Sequence, residues 1–422
     1  MPTTNATFLP SGYPSDLPVP TLNWTEAKQP RTALWRSERG AAPPKRVVLA
    51  DDTLSADSAY RMACEGTGLL WRGDFQNARL LLQALARRID KPPKASKTAK
   101  MGRKKALAQA ETGTPSGEAF HLYRQAQSQR ARVLGMVLIE FAADYAIALR
   151  RAPDAKQACT EAWGPADGSG PSVASLRELM GVISAHEWRK KGVEIPALTS
   201  SGSAIAKAAP NNRIYPHYGV FSPVRGEYVD LVAAAPLPKN RPAKFVAFDI
   251  GTGTGVLAAV LALREVNQVV ATDQDERALA CAKENIYKLR LPNPVKVMRA
   301  DLFPEGLASV IVCNPPWLPA RPGSPLESAV YDEGSRMLLG FIKGLAAHLA
   351  PGGEGWLILS DFAEHLGLRT RAELLAAIEV AGLKVLGRMD VKPEHPKALD
   401  ATNPLAEARA QEVTSLWRLG AV

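Results

Sequence analysis

The chain has 422 residues, 46% of them hydrophobic and 22% charged, which suits a globular protein long enough for two or three domains with full cores. No stretch reaches the roughly 18 apolar residues of a membrane helix, and Met1 to Pro20 has no basic segment leading into an apolar one, so a cytoplasmic protein is expected. A net charge of +10 favours an anionic partner, and four cysteines without paired spacing, Cys64, Cys159, Cys281 and Cys313, suggest neither a metal site nor a disulfide framework.

Residues 1–45 are rich in Pro, Thr, Ser and Asn with isolated aromatics, and read as an extended arm. From Ser55 the pattern turns helical. Ala56, Tyr60, Ala63 and Cys64 share a face, Gly66 to Gly73 reads as an interhelical turn, and Phe75 to Ala86 is a second amphipathic run. Residues 91–117 form a basic linker whose Lys91, Lys94, Lys97, Lys100, Arg103, Lys104 and Lys105 would release counterions from phosphates, making 91–105 a possible nucleic-acid contact. A solvated loop carries the same charges equally well. Ala119 to Arg151, Ala158 to Trp163 and Val173 to Trp188 continue as helices, so residues 46–200 are expected to be an all-helical substrate-recognition domain.

Residues 201–422 read differently. Phe245 to Phe248 is a short buried strand, Val256 to Leu263 a helix, and between them Asp249-Ile250-Gly251-Thr252-Gly253-Thr254-Gly255 is a glycine loop of the kind that lets a backbone approach a nucleotide-like ligand. A second strand, Gln268 to Thr272, ends at Asp273, where a parallel α/β unit puts a ribose-binding acid. A third, Ser309 to Cys313, runs into Asn314-Pro315-Pro316-Trp317, whose prolines end the ladder. Strands and helices then alternate to the last strand near Leu419, which predicts an α/β domain with a doubly wound, mostly parallel Rossmann-like sheet.

The glycine loop together with Asn314 to Trp317 resembles the class I S-adenosylmethionine-dependent methyltransferases, over about the second half of the chain. Asn-Pro-Pro-Trp resembles the signature of enzymes that methylate amino or amide nitrogen, and Gly219-Val220-Phe221-Ser222-Pro223 is similar to the segment opening the small-domain methyltransferases that act on guanine N2 of ribosomal RNA. Protein glutamine N-methyltransferases share Asn-Pro-Pro. The resemblance implies S-adenosylmethionine as cofactor, held by Asp249, Gly251, Gly253, Gly255 and Asp273, with Asp301 near the adenine and Phe221 walling the site. It implies catalysis by Asn314 and Pro315, whose carbonyls would accept N–H groups of the acceptor, with Trp317 stacking on it; Tyr218 and Arg225 are further substrate candidates. Turn-forming Asn, core Trp and a capping Asp at 301 are the plain structural readings of the same residues. The expected activity is N-methylation of a planar nitrogen in RNA or protein. A small-molecule enzyme and a non-catalytic RNA-binding scaffold are the alternatives.

Overall fold

The computed structural model describes residues 20–91, 117–199, 211–224, 226–239, 242–393 and 404–422. These fall into two compact units, 20–91 with 121–187 and 117–120 with 188–422, whereas the composition placed one boundary at 200/201. The basic segment 92–116 and Arg225 lie outside the described residues.

The first unit is not all-helical. Its elements are β1 (Thr21–Glu26), β2 (Gln29–Trp35), β3 (Arg46–Ala50), α1 (Ala56–Cys64), β4 (Thr67–Trp71), α2 (Phe75–Asp90), α3 (Glu118–Leu134), β5 (Val137–Phe141), α4 (Lys156–Trp163), β6 (Ser172–Ser175) and α5 (Leu176–Lys191). The strands form one sheet in the order β1-β2-β6-β5-β4-β3. Each departure from the sequence reading has a physical cause. The expected arm contains a hairpin, β1 to β2, turned by Ala27 and Lys28 at φ of 51° and 62°; the Asn-Gly pair that normally marks such a turn is missing. The expected turn at Gly66–Gly73 contains β4, whose five residues are all buried. A strand covered on both faces shows no alternation, and its short apolar run cannot be told from helix by period. The run from Ala119 onward breaks at Gly135, after which Val137–Phe141 pairs with both β4 and β6.

The second unit begins with the short pair β7 (Val193–Glu194) and β8 (Arg213–Ile214), then α6 (Glu227–Ala234). It continues as β9 (Val246–Ile250), α7 (Val256–Ala262), β10 (Gln268–Asp273), α8 (Glu276–Leu289), β11 (Val295–Arg299), β12 (Ala308–Cys313), α9 (Arg336–His348), β13 (Leu349–Ser360), α10 (Phe362–His365), α11 (Arg371–Val380), β14 (Leu383–Val391), α12 (Ala406–Gln411) and β15 (Thr414–Ala421). Its seven strands run β11-β10-β9-β12-β13-β15-β14, with β15 antiparallel to both neighbours and the other contacts parallel. Helices cover both faces. Every residue of α7 is buried, and it packs with β9, β10 and β12 on one side, while Leu338, Phe341, Ile342 and Leu345 of α9 pack on the other. Each such side chain contributes about 1.5–3 kcal/mol by leaving water. Among the described residues no helix is long and apolar enough to cross a membrane.

The antiparallel end of the sheet carries a charge pair. Arg418 on β15 donates two hydrogen bonds, of 2.7 and 2.6 Å, to Glu354 on β13, and Glu354 also accepts from the Trp356 indole at 3.1 Å. Glu354 is buried. Removing only the cation strands a carboxylate in the core, so Arg418→Ala should lower stability by about 3 kcal/mol, read as a fall in the chemical-denaturation midpoint; a change under about 0.5 kcal/mol would show that the pair contributes nothing net.

Candidate active site

Parallel strands β9 and β12 are neighbours, with Cys313 opposite Ile250. The residues that follow, Gly251 and Asn314, therefore leave the same edge side by side. This puts the glycine loop and the Asn-Pro-Pro-Trp turn together at the carboxyl ends of the strands, where open α/β sheets bind ligands.

The loop is held from beneath. Asp249, 1% exposed, accepts the Thr252 hydroxyl at 2.6 Å and the Ala258 amide at 3.0 Å on Oδ2, tying loop and α7 to β9. Thr252 N donates to Thr272 O at 2.8 Å, and Asn285 Nδ2 donates to Thr254 O at 3.0 Å. Gly251, Gly253 and Gly255 all have positive φ, at 71°, 54° and 81°. Their surroundings differ. A Cβ on Gly251 would sit 2.3 Å from Met337 Cε and one on Gly255 3.3 Å from Ala282, whereas a Cβ on Gly253 would meet nothing within 4 Å. Gly253 thus borders open space, and its amide donates to Asp273 Oδ2 at 3.0 Å. Asp273 Oδ1 accepts from Asp275 N at 3.0 Å, and a carboxylate has acceptor capacity beyond these backbone amides for a hydroxyl donor. Burial pushes both carboxyls up: Asp249 from 3.8 to about 7, opposed by its two hydrogen bonds and reinforced by Asp273, and Asp273 in the same direction.

At the second turn Asn314 Oδ1 accepts from the Trp317 indole at 2.9 Å. An indole N–H can only donate, so this bond fixes which way the carboxamide faces and leaves one Oδ1 lone pair open. Trp317 is half-buried against both core clusters, so its ring position is set by packing as well. The following stretch is a closed loop: Leu318 N donates to Val330 O at 3.2 Å, and Asp332 N to Leu318 O at 2.9 Å. Asp332 Oδ2 then caps α9 through the amides of Met337 (2.8 Å) and Leu338 (3.3 Å).

Residues 211–374 match the methyltransferase small domain family. The second unit is a class I S-adenosylmethionine-dependent methyltransferase domain. The chain is 31% identical over 176 residues to the release factor glutamine methyltransferase of Cereibacter sphaeroides, covering 38% of this chain and 58% of that protein. It is 32% identical over 127 residues to the tRNA1(Val) (adenine(37)-N6)-methyltransferase of Pedobacter heparinus, covering 29% and 53%, and 30% identical over 158 residues to the ribosomal protein L11 methyltransferase of Allorhizobium ampelinum, covering 37% and 46%. The chain thus spans about half the length of each of these relatives.

S-adenosylmethionine is the cofactor of this class, and the methyltransferase domain has groups that fit it: the open space at Gly253, the spare acceptor capacity of Asp273, and two acids, Asp249 beneath the loop and Asp273 beside it, whose field suits a ligand cationic at sulfur and at its ammonium. The other expected residues are more scattered. Asp301, after β11, is exposed, pairs with Arg336 at 3.4 Å and is hydrogen-bonded by Gln274. Residues 215–220 run along α8, with Tyr215 N on Asn285 Oδ1 (2.8 Å), His217 Nε2 on Glu284 Oε2 (2.7 Å) and Val220 against Ala278 and Cys281. That path puts the Tyr218 ring under the Arg277 guanidinium at 5.8 Å, beside α8. Phe221, further along the same segment, is exposed. Thr252, Asn285 and Asp332 were missed by sequence reasoning. Only Asp332, an acid ahead of a helix, carried a local signal, that of an N-terminal cap.

Two outcomes follow from this geometry. Gly253→Ala should leave the protein folded, at a cost of about 1–2 kcal/mol for the left-handed residue, yet weaken S-adenosylmethionine binding by at least about tenfold, or 1.4 kcal/mol, measured by calorimetry; unchanged affinity would mean that the open space is not the cofactor's. The raised Asp249 carboxyl sets a pH dependence. Its native pKa lies above the unfolded one, so its contribution to stability is full below about pH 4 and lost as pH rises to about 7. A cationic ligand favours the ionised form, so cofactor affinity should rise by up to about tenfold per pH unit between about pH 5 and 7 and level off above. Asp249→Asn should flatten that curve.

Proposed function

We propose that the protein is an N-methyltransferase that moves a methyl group from S-adenosylmethionine to a planar amino or amide nitrogen in RNA or a polypeptide. The observation that carries this reading is the Asn314 carboxamide, fixed at the end of β12 one strand from the glycine loop, with an oxygen lone pair free. Bound S-adenosylmethionine supplies a methyl group on a cationic sulfur with a neutral thioether as leaving group. Little acid catalysis is needed, so the protein's work is positioning: a nitrogen lone pair held in line at near-attack distance removes several kcal/mol of barrier.

An amide or exocyclic amine shares its lone pair with a π system. Asn314 Oδ1 and the Pro315 carbonyl accept the acceptor's N–H groups and draw the nitrogen toward a tetrahedral geometry as the new bond forms. Trp317 holds Asn314 in that orientation through its indole N–H, and the closed loop 318–331 shapes the entrance. Tyr218 and Phe221 border the cofactor side, and the first unit, with the basic stretch 91–105, selects the acceptor. The relatives named above act, by their names, on glutamine of a release factor, on adenine of a transfer RNA and on a ribosomal protein, which supports a nitrogen acceptor in either macromolecule.

Asn314→Ala should reduce turnover by about 10²–10³-fold while leaving S-adenosylmethionine affinity unchanged; parallel loss of both would mean that Asn314 serves the cofactor. Trp317→Phe keeps the aromatic face and removes one neutral hydrogen bond of about 1 kcal/mol, so kcat should fall by about fivefold with KM little altered. A large rise in KM would assign the ring to stacking. The assay is transfer of labelled methyl into extract from cells lacking this protein, resolved by protease and ribonuclease digestion.

A further inference from the structure

The stretch between α10 and α11 follows β13, and β13 lies parallel to β12, so this stretch emerges on the same edge as Asn314, one strand further along. It contains Arg369, whose Nε and Nη2 are enclosed yet have no hydrogen-bond partner among the described residues. A buried donor without an acceptor is costly, more so on a charged group. Burial accordingly depresses the guanidinium's pKa, opposed by the fields of Glu364, Glu373 and Asp332.

Each of those acids already accepts hydrogen bonds from other groups, and none is hydrogen-bonded to Arg369 Nε or Nη2. Glu364 accepts from Arg371 Nε on both oxygens at 2.9 Å. Glu373 accepts from Thr370 N at 2.7 Å in the cap of α11. Asp332 is taken by the amides at the start of α9. Arg369 is therefore a fork of donors on the acceptor side of the site, awaiting an oxygen.

We propose that Arg369 recognises the acceptor by donating to a carbonyl oxygen of a polypeptide whose target nitrogen sits at Asn314. This deepens the function proposed above and rests on it. The choice of a neutral carbonyl over a nucleic-acid phosphate comes from the charges. Glu364, Glu373 and Asp332 all act on Arg369, and residues 211–422 hold 23 Lys and Arg against 23 Asp and Glu, so the domain offers no net attraction to a polyanion at this edge. A guanidinium fork suits a peptide or side-chain amide oxygen without needing a negative charge. Gly367, at φ of 67°, turns the same stretch, and acceptor binding displaces the groups that enclose Nε and Nη2.

The test uses the full-length protein, an array of uncharged synthetic peptides each carrying one Gln or Asn, and unmodified ribosomal and transfer RNA transcripts. Label should enter peptides and not transcripts. Against the best peptide, Arg369→Met should raise KM at least tenfold with kcat within threefold, and Arg369→Lys should recover part of the loss. Cofactor affinity should be unchanged in both, and the thermal midpoint of Arg369→Met should match or exceed that of the parent, since an unpartnered buried charge is removed; a residue with a merely structural role would lower it. Label in transcripts alone, label in neither pool, or a KM unmoved by Arg369→Met overturns the assignment to Arg369 and polypeptide. Absence of S-adenosylmethionine binding by the parent protein would instead overturn the methyltransferase reading itself.

Discussion

The pairing of β9 with β12 is the constraint on which the catalytic unit depends. These strands are separated in sequence by α7, β10, α8 and β11, yet lie next to each other with Cys313 opposite Ile250. Because parallel strands release their following residues at one edge, this pairing alone makes neighbours of a glycine loop and an Asn-Pro-Pro turn some sixty residues apart. A shift of one residue in register would turn every side chain of one strand to the opposite face and exchange its two core layers, so the packing that stabilises the sheet also fixes the chemistry.

Electrostatics adds a second layer. Asp249 and Asp273 lie on adjacent strands, burial raises the pKa of both, Asp273 raises that of Asp249 further, and nothing cationic among the described residues is hydrogen-bonded to either. Two partly desolvated carboxyls are a poor arrangement for stability and a good one for a ligand bearing positive charge at two atoms. Binding repays what the folded chain gives up, which is the usual relation between a site and its scaffold. The role proposed for Arg369 has the same form, with the sign of the charge reversed.

How much was legible follows from the range over which each signal acts. The loop from Asp249 to Gly255 is local: three glycines between a buried strand and an apolar helix demand positive φ and close approach, and they have both. The doubly wound sheet was legible because its helices and strands alternate along the chain. The first unit failed on three counts with one origin, that strand character there depends on what covers it. β4 is buried on both faces and shows no period, β5 follows a long helical run without a polar gap, and the hairpin turn uses Ala27 and Lys28 in a conformation that neither residue type advertises. The tight approach of Met337 to Gly251 and the isolation of Arg369 are relations between distant residues. No single-chain pattern contains them, since whether Arg369 has a partner depends on what Glu364, Glu373 and Asp332 are already bound to.

Overall basicity is a weak guide to this acceptor, because the charge is unevenly divided. Residues 211–422 are balanced, so the whole net charge of +10 resides in residues 1–210. Fields from solvated charges fall off within about 10 Å at moderate ionic strength, so what a substrate nitrogen meets at Asn314 is governed by the groups of the sheet edge itself. Those include Asp273, Asp301, Asp332, Asp361, Glu364 and Glu373 against Arg336, Arg369 and Arg371. This composition supports the proposed neutral acceptor, since a phosphate backbone would meet the field of those carboxylates. If nucleic acid binds this protein, the basic first half provides the attraction, and binding there is separable from the chemistry proposed for Asn314.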